Sequence, residues 1–152
     1  MKRFLILILS LLAVPSASIR AQAGLIFWAG FAQSADSGDA VRLETKGAQA
    51  GVQLGLPFLP VAIRADALHW GTSFNSKHLS YSASGALQVR LPLLQLYALA
   101  GMGKYVLTES TSVTGWQAGG GIRLGQGRFG LFGEIVRQDA ADRTVTTLGL
   151  TF

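Results

Sequence analysis

The sequence predicts an all-β chain: an eight-stranded antiparallel up-and-down transmembrane β-barrel, preceded by a cleaved signal peptide. Three observations carry that expectation. Residues 24–152 divide into segments of period-two hydropathy, each about 9 to 11 residues long and about 15 residues apart. The connections between them alternate between short and longer, more polar ones. Aromatic residues gather near the segment ends.

The first 23 residues stand apart from this pattern. Lys2 and Arg3 precede an apolar run from Phe4 to Val14, broken by Ser10, and Pro15 and small residues follow. Ala21-Gln22-Ala23 fits the small-x-small cleavage pattern, which places the mature start at Gly24. The run is too short to cross a bilayer as a helix, so residues 1–23 read as a secretory signal peptide of the Sec pathway. Residues 24–152 read as a single domain.

Removing the signal changes what the charge means. The full chain carries a formal +5, and Lys2, Arg3 and Arg20 leave with the signal, so the mature chain carries 5 − 3 = +2. Positive charges are scattered with no basic run, which argues against a nucleic-acid partner. The chain has no cysteine, which excludes disulfides, thiolate metal sites and a lipoprotein anchor. A small exported domain without bridges needs another source of stability. After residue 24, no apolar stretch approaches the roughly 18 to 20 residues of a spanning helix.

In order, strands are expected near 24–34, 46–56, 60–70, 79–90, 95–107, 114–124, 129–138 and 144–152. The second shows the alternation cleanly: Ala48, Ala50, Val52 and Leu54 face one way, and Gln49, Gly51 and Gln53 the other. In the fourth, Leu79, Tyr81, Ala83, Leu87 and Val89 alternate with Ser80, Ser82, Ser84 and Gln88. In the sixth, Trp116, Ala118, Ile122 and Leu124 oppose Gln117 and Arg123. In the third, His69 shares the apolar parity and Trp70 points inward unless a β-bulge near Leu68 restores the phase. Arg137 falls on the apolar face of the seventh strand, near enough to a loop to snorkel.

A soluble β-sandwich has the same period, so the connections and aromatics carry the choice. PFLP, LPLLQ and GQGR are short, whereas SADSGDAVRLE, GTSFNSK and TESTSV are polar and longer, with DAADR the shortest of that set. This is the turn and loop asymmetry of outer-membrane barrels. Phe58, Tyr97, Phe129 and Phe152 fall near the turn side, and Trp70, Tyr81, Tyr105 and Trp116 near the loop side, as two interfacial girdles. Closing the first strand on the last removes both sheet edges, as hydrocarbon requires.

The final strand, TVTTLGLTF, alternates Leu148, Leu150 and Phe152 with Thr147, Gly149 and Thr151. It resembles the C-terminal β-signal of bacterial outer-membrane proteins, which is read by the barrel-assembly machinery. LYALAGMGKY, GWQAGGGIRL and LFGEIVRQ are similar in style to later strands of the small eight-stranded outer-membrane barrels of the OmpA/OmpX type. The resemblance covers all of residues 24–152 and rests on compositional motifs. It implies a Gram-negative outer-membrane location, a porin-like envelope protein and a monomer. The implied partners are outer-membrane lipid and lipopolysaccharide, with the assembly machinery and periplasmic chaperones during biogenesis.

The interior of so narrow a barrel is filled by side chains. By parity it holds Arg64, Asp66, Arg90, Lys104, Arg123 and Glu134, with Gln49, Gln53, Gln88 and Gln117. Charges confined there must pair, and Glu134 is expected beside Arg123 across the hairpin of the sixth and seventh strands. A polar plug is expected rather than a gate or conduit.

Chemistry is weakly represented. His78-Leu79-Ser80 has the two-residue spacing with which lipid A deacylase barrels place histidine and serine, but its strand carries no carboxylate and the next acid is Glu109. His69 and His78 flank one loop and make an incomplete metal site, and Asp36 and Asp39 lack a calcium loop's ligand count. Gly119–Gly121 and Gly125–Gly127 precede no helix and are not phosphate cradles. The expectation is a non-enzymatic barrel with a structural or surface-interaction role, without metal or cofactor. The alternatives are a lipid A-modifying, deacylase-like barrel and a narrow small-solute channel.

Overall fold

In the computed structural model, residues 24–36, 45–56, 59–71, 76–125 and 129–152 are described. The signal peptide expected over 1–23 and the aromatic Phe58 lie outside the described residues. Eight strands follow one another: β1 (Leu25–Asp36), β2 (Lys46–Gly55), β3 (Val61–Trp70), β4 (Leu79–Arg90), β5 (Leu94–Thr108), β6 (Thr111–Leu124), β7 (Gly130–Gln138) and β8 (Arg143–Thr151). Each pairs antiparallel with its sequence neighbours, and β8 pairs with β1, so the sheet closes into a barrel.

The register fixes the stagger. From Leu25 the pairs run through Leu54, Ile63, Gly85, Ala100, Ala118, Arg137 and Thr144 and return to β1 at Ala35. One circuit therefore climbs 35 − 25 = 10 residues along β1, a shear that tilts the strands within the usual range of about 35–45°. At the seam, the Phe27 and Phe152 rings stack at 6.4 Å, and their backbones exchange two hydrogen bonds of 2.9 Å.

One connection differs from its expectation. The TESTSV segment is largely strand: β5 runs to Thr108, β6 begins at Thr111, and Glu109–Ser110 turn between them. Thr, Ser and Val are compatible with a pleated ladder, so polarity alone misread them as loop. A register shift between Val106 and Thr108 accommodates the hairpin. On the turn side, Gly125 sits at φ 129, a conformation that glycine alone adopts freely.

The core lies inside the barrel. Ala32, Leu68, Trp70 and Val145 cluster toward the loop end, and Ala62, Ala86, Leu99 and Val136, with Tyr97 against them, lie below. Outside, Phe31, Ile63, Leu87, Leu131, Ile135, Leu148 and Leu150 are all more than half exposed. In water such a continuous apolar surface would drive association; on a closed barrel it is a lipid-facing belt.

Tryptophan and tyrosine divide between the two faces. Tyr81 and Trp116 are exposed outward, as the girdle reading expects. Trp70 and Tyr105 are 1% exposed and Tyr97 is half-buried, all inside the barrel. The pairing of β3 with β2 and β4 runs without a break to Trp70 and His69, so no bulge turns Trp70 outward. Indole and phenol rings fill a lumen lined by many small residues, and burial there outweighs an interfacial position.

Candidate functional site

Chemistry concentrates in the lumen, where inward positions of all eight strands converge. β3 places Arg64 and Asp66 two residues apart on its inner face, and β7 places Glu134 across the barrel. All three are buried. The Arg64 Nε donates to Asp66 Oδ1 at 2.7 Å, and its Nη2 donates to Glu134 Oε1 at 2.9 Å. Its Nη1 donates to Glu134 Oε2, which also accepts from the Tyr97 hydroxyl at 2.8 Å. Ser82 Oγ lies 3.4 Å from the second Asp66 oxygen. The guanidinium stacks 4.1 Å from the centroid of the Trp28 ring. One cation thus meets two carboxylates and an aromatic face, arrangements that compensate part of its desolvation.

Gly51 makes room for this stack. A Cβ at that position would lie 2.6 Å from three atoms of the Trp28 indole. A second arginine repeats the theme at the loop end. Arg143 is buried, donates to Gln138 Oε1 at 2.6 Å and to the Val106 carbonyl at 3.1 Å, and stacks 4.6 Å from the Trp70 centroid. Between the two levels, Gln117 donates to Ser84 Oγ at 2.8 Å and accepts from Tyr105 at 3.1 Å. Thr147 donates to Gln49 across the β1 seam. A gap toward the turn side, bordered by Trp28, Gln53, Arg64, Tyr97 and Arg123, encloses about 20 Å³, room for a single water.

The expected interior residues fall into two groups. Arg64, Asp66 and Glu134 are brought together, and Arg123 is buried on the inner face of β6. The register sets Gly121 opposite Glu134 and Phe132 opposite Arg123, so Glu134 takes its two guanidinium bonds from Arg64 across the lumen. Arg90 sits at the exposed turn-side end of β4, with Nη2 3.5 Å from Gln88 Oε1.

Lys104 is a correction: it is exposed in phase with outward Met102, while Gly103 and Tyr105 on either side are buried. β5 carries apolar residues on both faces, Leu96 and Met102 outward and Leu99 and Tyr105 inward, so its hydropathy pattern does not fix the phase. Arg137 is also outward, near the loop end, where it bridges to Asp142. Leu148, Leu150 and Phe152 project outward along β8 and just beyond it. Trp28, Tyr97 and Arg143 are lumen residues that the sequence reading did not include. Extending the parity of Gln49 to the neighbouring β1, and that of Thr147 back along β8, would have found Trp28 and Arg143.

The His78 and Ser80 pair does not form a catalytic unit. Ser80 is 2% exposed inside the barrel, where its Oγ accepts a 3.0 Å bond from the Val106 N–H. His78 lies in a short 3-10 helix (Ser76–His78). Its Nδ1 is 3.2 Å from the Trp70 carbonyl and its Nε2 is 3.7 Å from Glu109. A carboxylate does approach the imidazole, brought by the β5–β6 hairpin, but the hydroxyl is committed elsewhere. The His69 and His78 rings are 6.0 Å apart, and no group of three or more metal-competent side chains occurs among the described residues. Asp39 lies outside the described residues, as does the Asp36 side chain.

No family model matches the sequence, and no curated protein matches it significantly. Solved structures do match in shape. Ail, the attachment invasion locus protein of Yersinia pestis, solved in complex with the heparin analogue sucrose octasulfate, is similar with a TM-score of 0.56 at 19% identity, over 84% of this chain and 97% of that one. Ail without that ligand is similar with a TM-score of 0.55 at 18% identity, over 84% and 97% of the two chains. Neisserial surface protein A is similar with a TM-score of 0.53 at 14% identity, over 84% of this chain and 92% of that one. With its closed eight-strand register and apolar outer belt, the chain has the fold of the small eight-stranded outer-membrane β-barrels.

Proposed function

We propose that the chain is a non-enzymatic integral protein of the bacterial outer membrane, with a structural or surface-interaction role carried by its loop end. The observation that carries the reading is the lumen. Arg64, Asp66, Glu134 and Tyr97 join β3, β5 and β7 across it, which supports a closed interior rather than an aqueous path. The Arg143 and Trp70 stack adds a second closure toward the loops. Ser80, bonded within the lumen, lends no support to a deacylase-like activity. Two similar structures are named as an attachment invasion locus protein and a surface protein, which favours a role at the cell surface. The Ail complex with a sulfated sugar makes a polyanionic partner a sensible first class to test.

Export with removal of residues 1–23, assembly by the barrel-assembly machinery through Leu148, Leu150 and Phe152, and a monomeric state belong to the same proposal. The test is gel mobility of the membrane-extracted protein with and without boiling, followed by planar-bilayer recording. A heat-modifiable band with no stepwise conductance is the expected result. Steady single-channel steps would replace the plug by a conduit, and a band insensitive to boiling would overturn the integral barrel.

A further inference from the structure

Below the Arg64 cluster, toward the turn-side end, the register brings a second set of donors into one row. Arg90 on β4 pairs with Gln95 on β5, and Gln95 pairs with Arg123 on β6. All three hold inward positions: Arg90 is two residues on from buried Gln88, Gln95 is two before Tyr97, and Arg123 is itself buried. Direct partners are about 5 Å apart, so the two arginines flank Gln95 with their Cα atoms about 10 Å apart. Two long side chains of like charge therefore share one side of the turn-side mouth.

The charge there is one-sided. Six of the eight acidic residues, Asp36, Asp39, Glu44, Glu109, Asp139 and Asp142, fall in or beside the loop-end connections. The other two, Asp66 and Glu134, already bond Arg64. Arg64, Arg90 and Arg123 against Asp66 and Glu134 leave 3 − 2 = +1 on the turn-side half of the lumen. Donors are in excess as well. The Gln88 amide, 6% exposed, accepts from Gln95 at 2.7 Å and from Arg90 at 3.5 Å, and its own Nε2 has no acceptor. The single-water gap is bordered by Gln95 and Arg123 from the row and by Arg64 and Tyr97 from the cluster. The Trp28 indole N–H, on the same border, also has no acceptor. Buried donors without acceptors are uncommon in folded proteins and call for a partner.

We propose that this mouth binds a soluble tetrahedral oxyanion of the phosphate class, held between Arg90 and Arg123 across Gln95. One oxygen takes the gap, and the others meet the two guanidiniums and the Gln88 amide. A carboxylate has two oxygens and is satisfied by one guanidinium fork, whereas a tetrahedral oxyanion offers acceptors to two. The row faces the lumen, so the barrel wall separates it from the acyl chains of the membrane. The bridge from Arg64 to Glu134 forms the floor, which makes the site a blind vestibule and not part of a conduit. The inference rests on the integral-barrel reading.

The full chain, extracted from membranes in an uncharged detergent, is held in Tris chloride, and chloride is replaced by inorganic phosphate or by acetate at constant ionic strength. Titration calorimetry gives the phosphate Kd. At phosphate about tenfold above that Kd, the urea midpoint should rise by about 0.7 M. For Arg123→Gln the Kd should rise about tenfold, the loss of one charge-assisted contact, and the midpoint rise at the same phosphate should shrink to about 0.2 M. Gln95→Glu sets a carboxylate between the two guanidiniums and should abolish the response. Arg137→Gln, outward at the loop end, should respond as the unaltered protein does, and acetate should leave the midpoint unchanged. The site is overturned by no rise with phosphate or by an equal rise with acetate. A full rise in both Arg123→Gln and Gln95→Glu, the mark of general salt stabilisation, overturns it too. Mobility with and without boiling is measured on the same samples, and a band insensitive to boiling overturns the barrel reading instead.

Discussion

Replacing Arg64 by leucine tests the account of the lumen most directly. The guanidinium is 3% exposed and is the shared partner of two carboxylates that are as deeply buried. Without it, Asp66 and Glu134 remain facing each other's charge, each with one hydroxyl neighbour, Ser82 and Tyr97 respectively. Breaking a buried pair from one side costs about 3–5 kcal/mol, chiefly because of the charge left behind. Loss of the Trp28 stack adds about 0.5–2 kcal/mol. Neutralising the carboxylates at the same time, in Arg64→Leu/Asp66→Asn/Glu134→Gln, removes that uncompensated charge and should recover most of the loss. The assay is urea unfolding of the vesicle-inserted barrel, followed by tryptophan emission and by heat-modifiable mobility. With a slope of about 2 kcal/mol per molar urea, the single variant's midpoint should fall by about 2–3.5 M. A fall below about 0.5 M would refute the claim that the charges are buried and mutually dependent. A triple variant as unstable as the single one would refute the electrostatic explanation and leave side-chain volume as the cause.

Three further outcomes follow from the faces and the seam. Ala50→Arg, outward at mid-belt, should cost about 2–4 kcal/mol, whereas Thr144→Arg at the loop-end rim should cost about 0–1 in the same urea assay; equal costs would contradict the lipid-facing belt. Gly51→Ala should destabilise by about 1–3 kcal/mol, because its methyl group meets the Trp28 indole. Gly85→Ala, whose Cβ would meet nothing within 4 Å, should be close to neutral and serves as the control. Phe152→Ala removes the stack on Phe27 across the β8–β1 seam, and should lower the yield of heat-modifiable barrel in membranes without reducing export. An unchanged yield would count against a role for that ring in closure or assembly.

Strand positions and most side-chain directions were legible in the chain itself. A two-residue period assigns a face to each residue wherever one face is clearly apolar, and β2, β4, β6 and β8 satisfy that condition. The alternation of Ala48 with Gln49, or of Leu148 with Thr147, needs no knowledge of neighbours. The same rule failed in β5, where Leu96 and Leu99 lie on opposite faces and the phase of Lys104 was undetermined. The girdle assignment failed for another reason: the period itself pointed Trp70 inward, and Trp70 and Tyr105 suit a crowded lumen as well as a lipid boundary.

The partners across the lumen were beyond the reach of any local pattern. Sequence supplied Arg64 beside Asp66 and, within a hairpin's reach, Glu134 near Arg123. Closure with a stagger of ten residues then carried β7 round to face β3, so that Glu134 meets an arginine 70 positions away. Hydropathy sets which side of a strand is wet, a property each residue expresses alone. Which charge neutralises which depends on strand number, tilt and the volume left by residues such as Gly51, and those are properties of the closed sheet.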